Sequence, residues 1–168
     1  KGGIGEAKTG GNYAASLKAQ DTARKAGYSQ VLWLDAKENR YVEEVGTMNI
    51  FFRINNELIT SPLTGSILGG VTRNSVIEIA KHWGLSVVER RLTIDEVVEA
   101  AKNGSLKEVF GSGTAAIIAP VSKFMYQGEE YQIGDGRTGE LSNKLYHFIL
   151  DLQYAKTEDP FGWREKIA

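Results

Sequence analysis

The chain has no cysteine, two histidines, three prolines and two methionines in 168 residues. Without cysteine there is no disulfide, no thiolate nucleophile, no zinc–thiolate centre and no Cys/His dyad. His82 and His147 both fall in stretches of helical character and read as surface residues, His82 near a helix C-terminus where an imidazole offsets the dipole. Chemistry is therefore left to Lys, Tyr, Asp, Glu, Ser and Thr. A basic excess is also missing. Twenty Lys and Arg stand against 21 Asp and Glu, a net charge of −1, with no surplus to neutralise a phosphate backbone, so nucleic acid is excluded as the expected partner. No run approaches the ~18 apolar residues of a membrane span, and the opening Lys-Gly-Gly-Ile lacks a secretory signal pattern. The reading is a soluble, cytoplasmic protein with no membrane partner. The opening residue is not Met and leads directly into a glycine-rich motif, which reads as a piece of a longer protein. What the chain does have in excess is glycine, 19 residues, against a usual ~7%.

Hydrophobic residues at 42% and charged residues at 24% are those of a globular protein, and the length suits one domain, residues 1–168. Residues 14–26 are good helix formers ending at Gly27, a suitable C-terminal cap. Residues 31–34, 49–54 and 57–60 read as strands, with 35–40 and Asn55-Asn56 as hairpin turns and 62–65 as a further turn. Val76, Ile79, Ala80 and Trp83 have helical spacing before Gly84, and a strand follows over 86–91. Thr93-Ile-Asp-Glu96 is a capping box ahead of a helix to about Lys102. Residues 108–110 and Gly111-Ser-Gly-Thr114 run into 115–120, residues 123–133 resemble a hairpin, and 141–154 form an amphipathic helix with Leu145, Phe148, Ile149 and Leu152 on one face. The irregular alternation favours a mixed α/β domain over a βαβ repeat.

Residues 2–9, GGIGEAKT, nearly match the phosphate loop G-x-x-x-x-G-K-[ST], but Ala7 replaces the second glycine, whose positive-φ freedom that loop needs. Gly10-Gly11 would also disrupt a helix beginning at the lysine. A nucleoside-triphosphatase is set aside. Ser112 in Gly-Ser-Gly does not complete G-x-S-x-G because Phe110 replaces the first glycine, which removes a hydrolase elbow.

Lys8-Thr-Gly-Gly-Asn-Tyr13, Glu44-Val-Gly-Thr-Met-Asn49, Gly70-Val-Thr-Arg73 and Phe110-Gly-Ser-Gly-Thr-Ala115 occur in the order found in one family. Across nearly its whole length the chain resembles the C-terminal, large domain of a branched-chain amino acid aminotransferase, a class IV (fold-type IV) enzyme dependent on pyridoxal 5'-phosphate. The resemblance implies a pseudo-barrel of mixed strands flanked by helices, as in the large domain of D-amino acid aminotransferase-like proteins. It implies that Lys8 is the catalytic lysine, holding the cofactor as an aldimine and then shuttling a proton. Such an amine must be partly neutral, a state favoured by partial burial near a cationic ring. Tyr13 matches the tyrosine bonded to the cofactor's phenolic oxygen, and Glu44 the acid facing its ring nitrogen. Val71 and Thr72 match the backbone donors to the phosphate, at a predicted helix start, and Thr114 its hydroxyl donor. Thr47 and Ala115 match positions holding the substrate carboxylate. Met48, Asn49, Gly46 and Gly113 read as supports for these loops, and the glycines gather where backbone would approach a flat ligand closely.

Read locally, each residue has a plainer role: Lys8 a solvated charge, Glu43-Glu44 a pair of acids on an exposed loop, Thr72 a helix cap, Thr114 a turn residue, Tyr13 a core aromatic. Three departures qualify the resemblance. Gly69 stands where the family commonly has proline. Ala116 and Ala119 replace the Cys-x-x-Cys pair of some animal members, which excludes that redox switch. The family's N-terminal small domain, with a further phosphate-binding arginine, has no counterpart in these residues. The activity implied is transfer of an amino group between leucine, isoleucine or valine and 2-oxoglutarate, in a homodimer or higher homo-oligomer. The alternatives are a sibling D-amino acid transaminase, an aminodeoxychorismate lyase, or a noncatalytic folded segment that binds cofactor weakly or not at all.

Overall fold

The computed structural model describes residues 3–167; Lys1, Gly2 and Ala168 lie outside the described residues, and with Gly2 goes the first glycine of the near-phosphate-loop pattern. In chain order the elements are α1 (Gly10–Lys25), β1 (Leu32–Leu34), β2 (Val42–Val45), β3 (Met48–Ile54), β4 (Glu57–Thr60), α2 (Val71–His82), β5 (Ser86–Glu89), α3 (Ile94–Lys102), β6 (Leu106–Gly113), β7 (Ile117–Val121), β8 (Lys123–Tyr126), β9 (Glu129–Gln132) and α4 (Glu140–Gln153). Seven strands make one sheet. β1 to β5 lie side by side in chain order, and β6 pairs with β3 and carries β7. Every pairing is antiparallel except β4 with β5, which α2 connects as a crossover. β8 and β9 form a separate hairpin. The mixed α/β reading holds.

β3 explains the layering. Its continuous apolar run Ile50-Phe51-Phe52 is buried on both faces of the sheet, the pattern of a central strand. Ile50 and Phe52 join Ile59 and Val109 beneath α3 and the β8–β9 hairpin. Phe51 joins Leu58 and Phe110 beneath α2 and α4, and its ring stacks on Phe110 at 5.2 Å. Truncating Phe51 to alanine in such a setting costs roughly 3–5 kcal/mol.

Two elements differ from the sequence expectation. The first helix begins at Gly10, not Ala14, and takes in both glycines. Each glycine weakens a helix by ~1 kcal/mol, but Asn12 anchors this first turn: its Nδ2 donates to the carbonyls of Ile4 (2.8 Å) and Ala7 (2.9 Å). That folds the Lys8 segment back onto the helix. Second, Glu43 and Glu44 lie on a strand, β2, and not on an exposed loop. The two-residue turn Gly46-Thr47 brings β2 back as β3, pairing Glu44 with Asn49 and Val45 with Met48. Gly46 has φ +58°, which suits a hairpin turn of this length, and its carbonyl accepts from Trp33 Nε1 at 2.8 Å.

Candidate active site

The four helices begin in three different ways. α3 has its own cap: Thr93 Oγ1 accepts from the Glu96 N–H, and the Glu96 carboxylate accepts from the Thr93 N–H. α4 borrows one. Its N-cap is Gly139, and the Glu108 carboxylate of β6 accepts from the N–H groups of Leu141 (3.0 Å) and Ser142 (2.9 Å). α1 and α2 have no side-chain cap. These two helices line the same large cavity, about 1610 Å³, which exceeds the ~300–1,000 Å³ usual for a small-molecule site.

α1 presents Ala15, Ala19, Ala23 and the adjoining Ala26 to that cavity, a face of small residues at helical spacing, and none of its residues is buried. Much of the remaining lining comes from β2, β3, β6, β7 and β8 and the turns between them. Lys8, Tyr13, Glu44, Thr47, Val71, Thr72, Thr114 and Ala115 all lie on the cavity lining. The residues singled out from the sequence, spread along most of the chain, thus share one space. Val71 is 82% exposed, leaving the first backbone turn of α2 open, where free N–H groups and the helix dipole favour an anion. Thr47, Thr114 and Ala115 are exposed, and Thr72 and Glu44 half-buried. Tyr13 is exposed and not the core aromatic that its local reading suggests. Lys8 is exposed too, so the partial burial its expected chemistry asks for does not come from these residues alone.

Glu44 is the electrostatically unusual group. Burial pushes its carboxyl up to about 7, helped by the neighbouring Glu43 and opposed by the Leu68 backbone. An acid at that value is half protonated near neutrality and would be returned to its charged form by a cation placed against it. Asn49 Nδ2 donates to Glu44 Oε1 at 3.1 Å and to the Leu68 carbonyl at 2.8 Å. In register beyond Asn49 lies Ser112, 2% exposed, whose Oγ has no hydrogen-bond partner. A buried hydroxyl without a partner is uncommon in a finished structure and marks a place where a further polar group belongs.

The glycines serve neighbours within the protein more than the sequence suggested. A Cβ on Gly111 would meet Met48 Cε at 2.8 Å, one on Gly113 would meet Met48 Cγ at 3.1 Å, and one on Gly70 would overlap Asn49 Oδ1. The Gly-Ser-Gly stretch is therefore spaced to seat Met48. Sequence reasoning also passed over the alanine face of α1, whose i, i+4 spacing was available; the hairpin expected over 123–133 is present as β8–β9, but that it adds Phe124 and Met125 to the lining was not foreseen.

The family model for amino-transferase class IV matches residues 4–124. The chain is 56% identical over 168 residues to branched-chain-amino-acid aminotransferase 2 of Bacillus subtilis, covering 100% of this chain and 46% of that protein. It is 55% identical over 166 residues to branched-chain-amino-acid transaminase 1 of the same organism, covering 99% and 47%. The chain thus spans about half the length of the curated relatives it matches. Among solved structures, an Escherichia coli branched-chain amino acid aminotransferase superposes with a TM-score of 0.83 at 35% identity, over 99% of this chain and 51% of that one. A T.th. branched-chain amino acid aminotransferase, complexed with N-(5'-phosphopyridoxyl)-L-glutamate, gives 0.80 at 34% identity, over 96% and 50%.

Proposed function

The chain belongs to the class IV aminotransferases, and from that premise we propose that the whole protein exchanges an amino group between a branched-chain L-amino acid and 2-oxoglutarate, with pyridoxal 5'-phosphate as cofactor. The observation that carries this reading is the convergence of Lys8, Glu44 and the uncapped start of α2 on one cavity, in a chain 56% identical to a branched-chain aminotransferase along its full length.

The donor set fits such a cofactor. Val71 and Thr72 would hold its phosphate through backbone N–H groups, with the Thr114 hydroxyl, at a helix start that no side chain of the protein caps. Glu44 would face the ring nitrogen, and the positive charge there would draw its raised carboxyl back to the carboxylate, which in turn keeps a proton on that nitrogen. Tyr13 would bond the phenolic oxygen. When bound, the protonated ring supplies a sink for the electron pair left at the substrate Cα. Lys8 Nζ would be the amine that binds the cofactor and would then take and return the Cα proton; its exposure leaves it free to move between those tasks, and closure of the cavity would supply the desolvation that neutralises it. Thr47 and the Ala115 N–H would orient the substrate carboxylate. Glu44 acts on charge and moves no proton at Cα.

The protein is inferred to work as a homodimer or larger homo-oligomer in the cytoplasm, with residues 1–168 as the large domain and a small domain completing the site. Among the described residues no helix is long and apolar enough to cross a membrane. Steady-state assays of the full-length protein should give turnover with L-leucine and 2-oxoglutarate well above that with D-alanine or aminodeoxychorismate. A preference for either of the latter would replace the substrate assignment with a sibling activity. Borohydride reduction after incubation with pyridoxal 5'-phosphate should label Lys8, and Lys8→Ala should lower turnover by at least ~10³-fold, a loss of the size seen when a nucleophile is removed. Label spread over surface lysines would instead favour a noncatalytic segment.

A further inference from the structure

Asn49 is a buried side chain that touches both ends of the proposed site. It is 5% exposed and sits opposite Glu44 across the β2–β3 turn. Three contacts converge on it. Its Nδ2 donates to Glu44 Oε1 (3.1 Å) and to the Leu68 carbonyl (2.8 Å), and its Oδ1 fills the space a side chain on Gly70 would occupy. The Leu68 backbone also faces the Glu44 carboxyl, working against the upward push of burial. Gly70 is the N-cap of α2. The acid on β2 and the backbone leading into α2 are therefore joined through the carboxamide on β3.

We infer that Asn49 is a positioning residue that couples the Glu44 carboxylate to the start of α2, fixing the separation between the group that answers a ring cation and the N–H groups that answer a phosphate. This rests on the function proposed above and goes beyond loop support. A strand residue that only filled space would not donate to both partners, and an apolar side chain at position 49 would leave the Leu68 carbonyl and one Glu44 oxygen without their donor. Gly70 belongs to the same device, because any side chain there would expel the carboxamide. The charged groups around Glu44 are Glu43 on its own strand and, elsewhere on the cavity lining, Lys8 and Lys18 of the first helix region and Lys123 of β8. Among the described residues the hydrogen-bond donor to the Glu44 carboxylate is Asn49, and none of the three lysines donates to it.

The test uses the full-length protein with Asn49→Ala, Gly70→Ala and the double variant. In the cofactor-free protein, the carbon-13 carboxyl signal of Glu44, assigned by its loss in Glu44→Gln, should titrate upward by roughly one unit in Asn49→Ala, because a donor to the charged form is removed. Affinity for pyridoxal 5'-phosphate should fall about 10-fold or more, while affinity for pyridoxal, which lacks the phosphate, should fall less, since loosening Leu68 also disturbs the start of α2. Gly70→Ala should reproduce both effects, and the double variant should be no worse than Asn49→Ala, as expected for two residues acting through one contact. An unmoved Glu44 titration, equal losses for the two ligands, or additive effects of the two substitutions would each overturn the coupling. If Asn49→Ala fails to fold, Gly70→Ala alone decides through the same two readouts. Should the wild-type protein bind no pyridoxal 5'-phosphate, the functional reading fails, and the Glu44 titration still judges the contact between Asn49 and Glu44.

Discussion

Glu108 and Glu44 occupy the same face of the same sheet, each beside the start of a helix, and their surroundings drive them in opposite directions. Glu108 on β6 pairs in register with Arg53 of β3 and accepts from Arg53 (2.9 Å), the Leu141 and Ser142 N–H groups and the Ser142 hydroxyl (2.8 Å). Burial alone would raise its pKa, but these donors together pull it below the ordinary carboxylate value. Glu44 has the Asn49 amide and the Leu68 backbone, with Glu43 for a neighbour, and burial carries it up to about 7. Between their partners on β3, Asn49 and Arg53, stands Phe51 with its ring against Phe110. A carboxylate supplied with donors on every side is finished and ties a helix to the sheet. One with too few donors, on the wall of a cavity, is left to be completed by something else.

The contrast is open to direct challenge. Glu108→Ala should destabilise the protein by about 3 kcal/mol, since it strands Arg53 and uncaps α4 together; urea unfolding would measure it, and a loss below ~1 kcal/mol would show that the saturated carboxylate holds little. Glu44→Gln should act in the opposite sense. The folded pKa of Glu44 is raised, so its contribution is fully present below its unfolded value near 4.5 and is lost as pH rises through about 7. Replacing it should therefore leave the cofactor-free protein about 1–2 kcal/mol more stable at pH 8, the figure discounted for its partial exposure. It should also remove the slope of stability between about pH 5 and 7. Equal stabilities at that alkaline pH would remove the contrast. In the acid range the sign reverses. The pKa of Asp35 is lowered to about 2, chiefly by the Tyr41 N–H with help from those of Arg40 and Glu38, so its contribution is present above ~4 and lost as pH falls towards about 2, together with that of Glu108. Asp35→Asn should flatten that acid limb without touching the neutral one. Smallest of all, Thr93→Ala should cost α3 about 1 kcal/mol and leave ligand binding unchanged, because α3 supplies no residue to the cavity lining.

How legible these features were depended on distance along the chain. The α3 capping box could be read from four consecutive residues because both partners of each bond lie within one turn. Residues 57–60, 72–83 and 141–154 announced themselves by spacing. The site motifs were legible through resemblance, and the eight residues it pointed to do line one cavity. Glu108 was not legible. Its partners lie 55, 33 and 34 positions away, and nothing near Lys107-Glu-Val109 distinguishes it from the Glu-Glu-Val of β2. The placement of Glu44 on a strand was missed for a related reason, since two adjacent acids argue for solvent until the Gly46-Thr47 turn sets them against β3. The early start of α1 depended on Asn12 reaching back to Ile4, a contact that helix propensity cannot register.

That two-residue turn has a consequence for how the protein can change. Side chains alternate across a strand, so one residue added between Val45 and Met48 that slipped the pairing by one would send Glu44 and Asn49 to opposite sides of the sheet. Every atom of the acid and the amide would survive, yet they could no longer meet. Substitution at Thr47 can tune what the cavity accepts, whereas insertion beside it would sever the proposed link between the two ends of the site. Positions 46–47 work as a ruler, and the family's variation in this hairpin should lie in which residues it uses and not in how many.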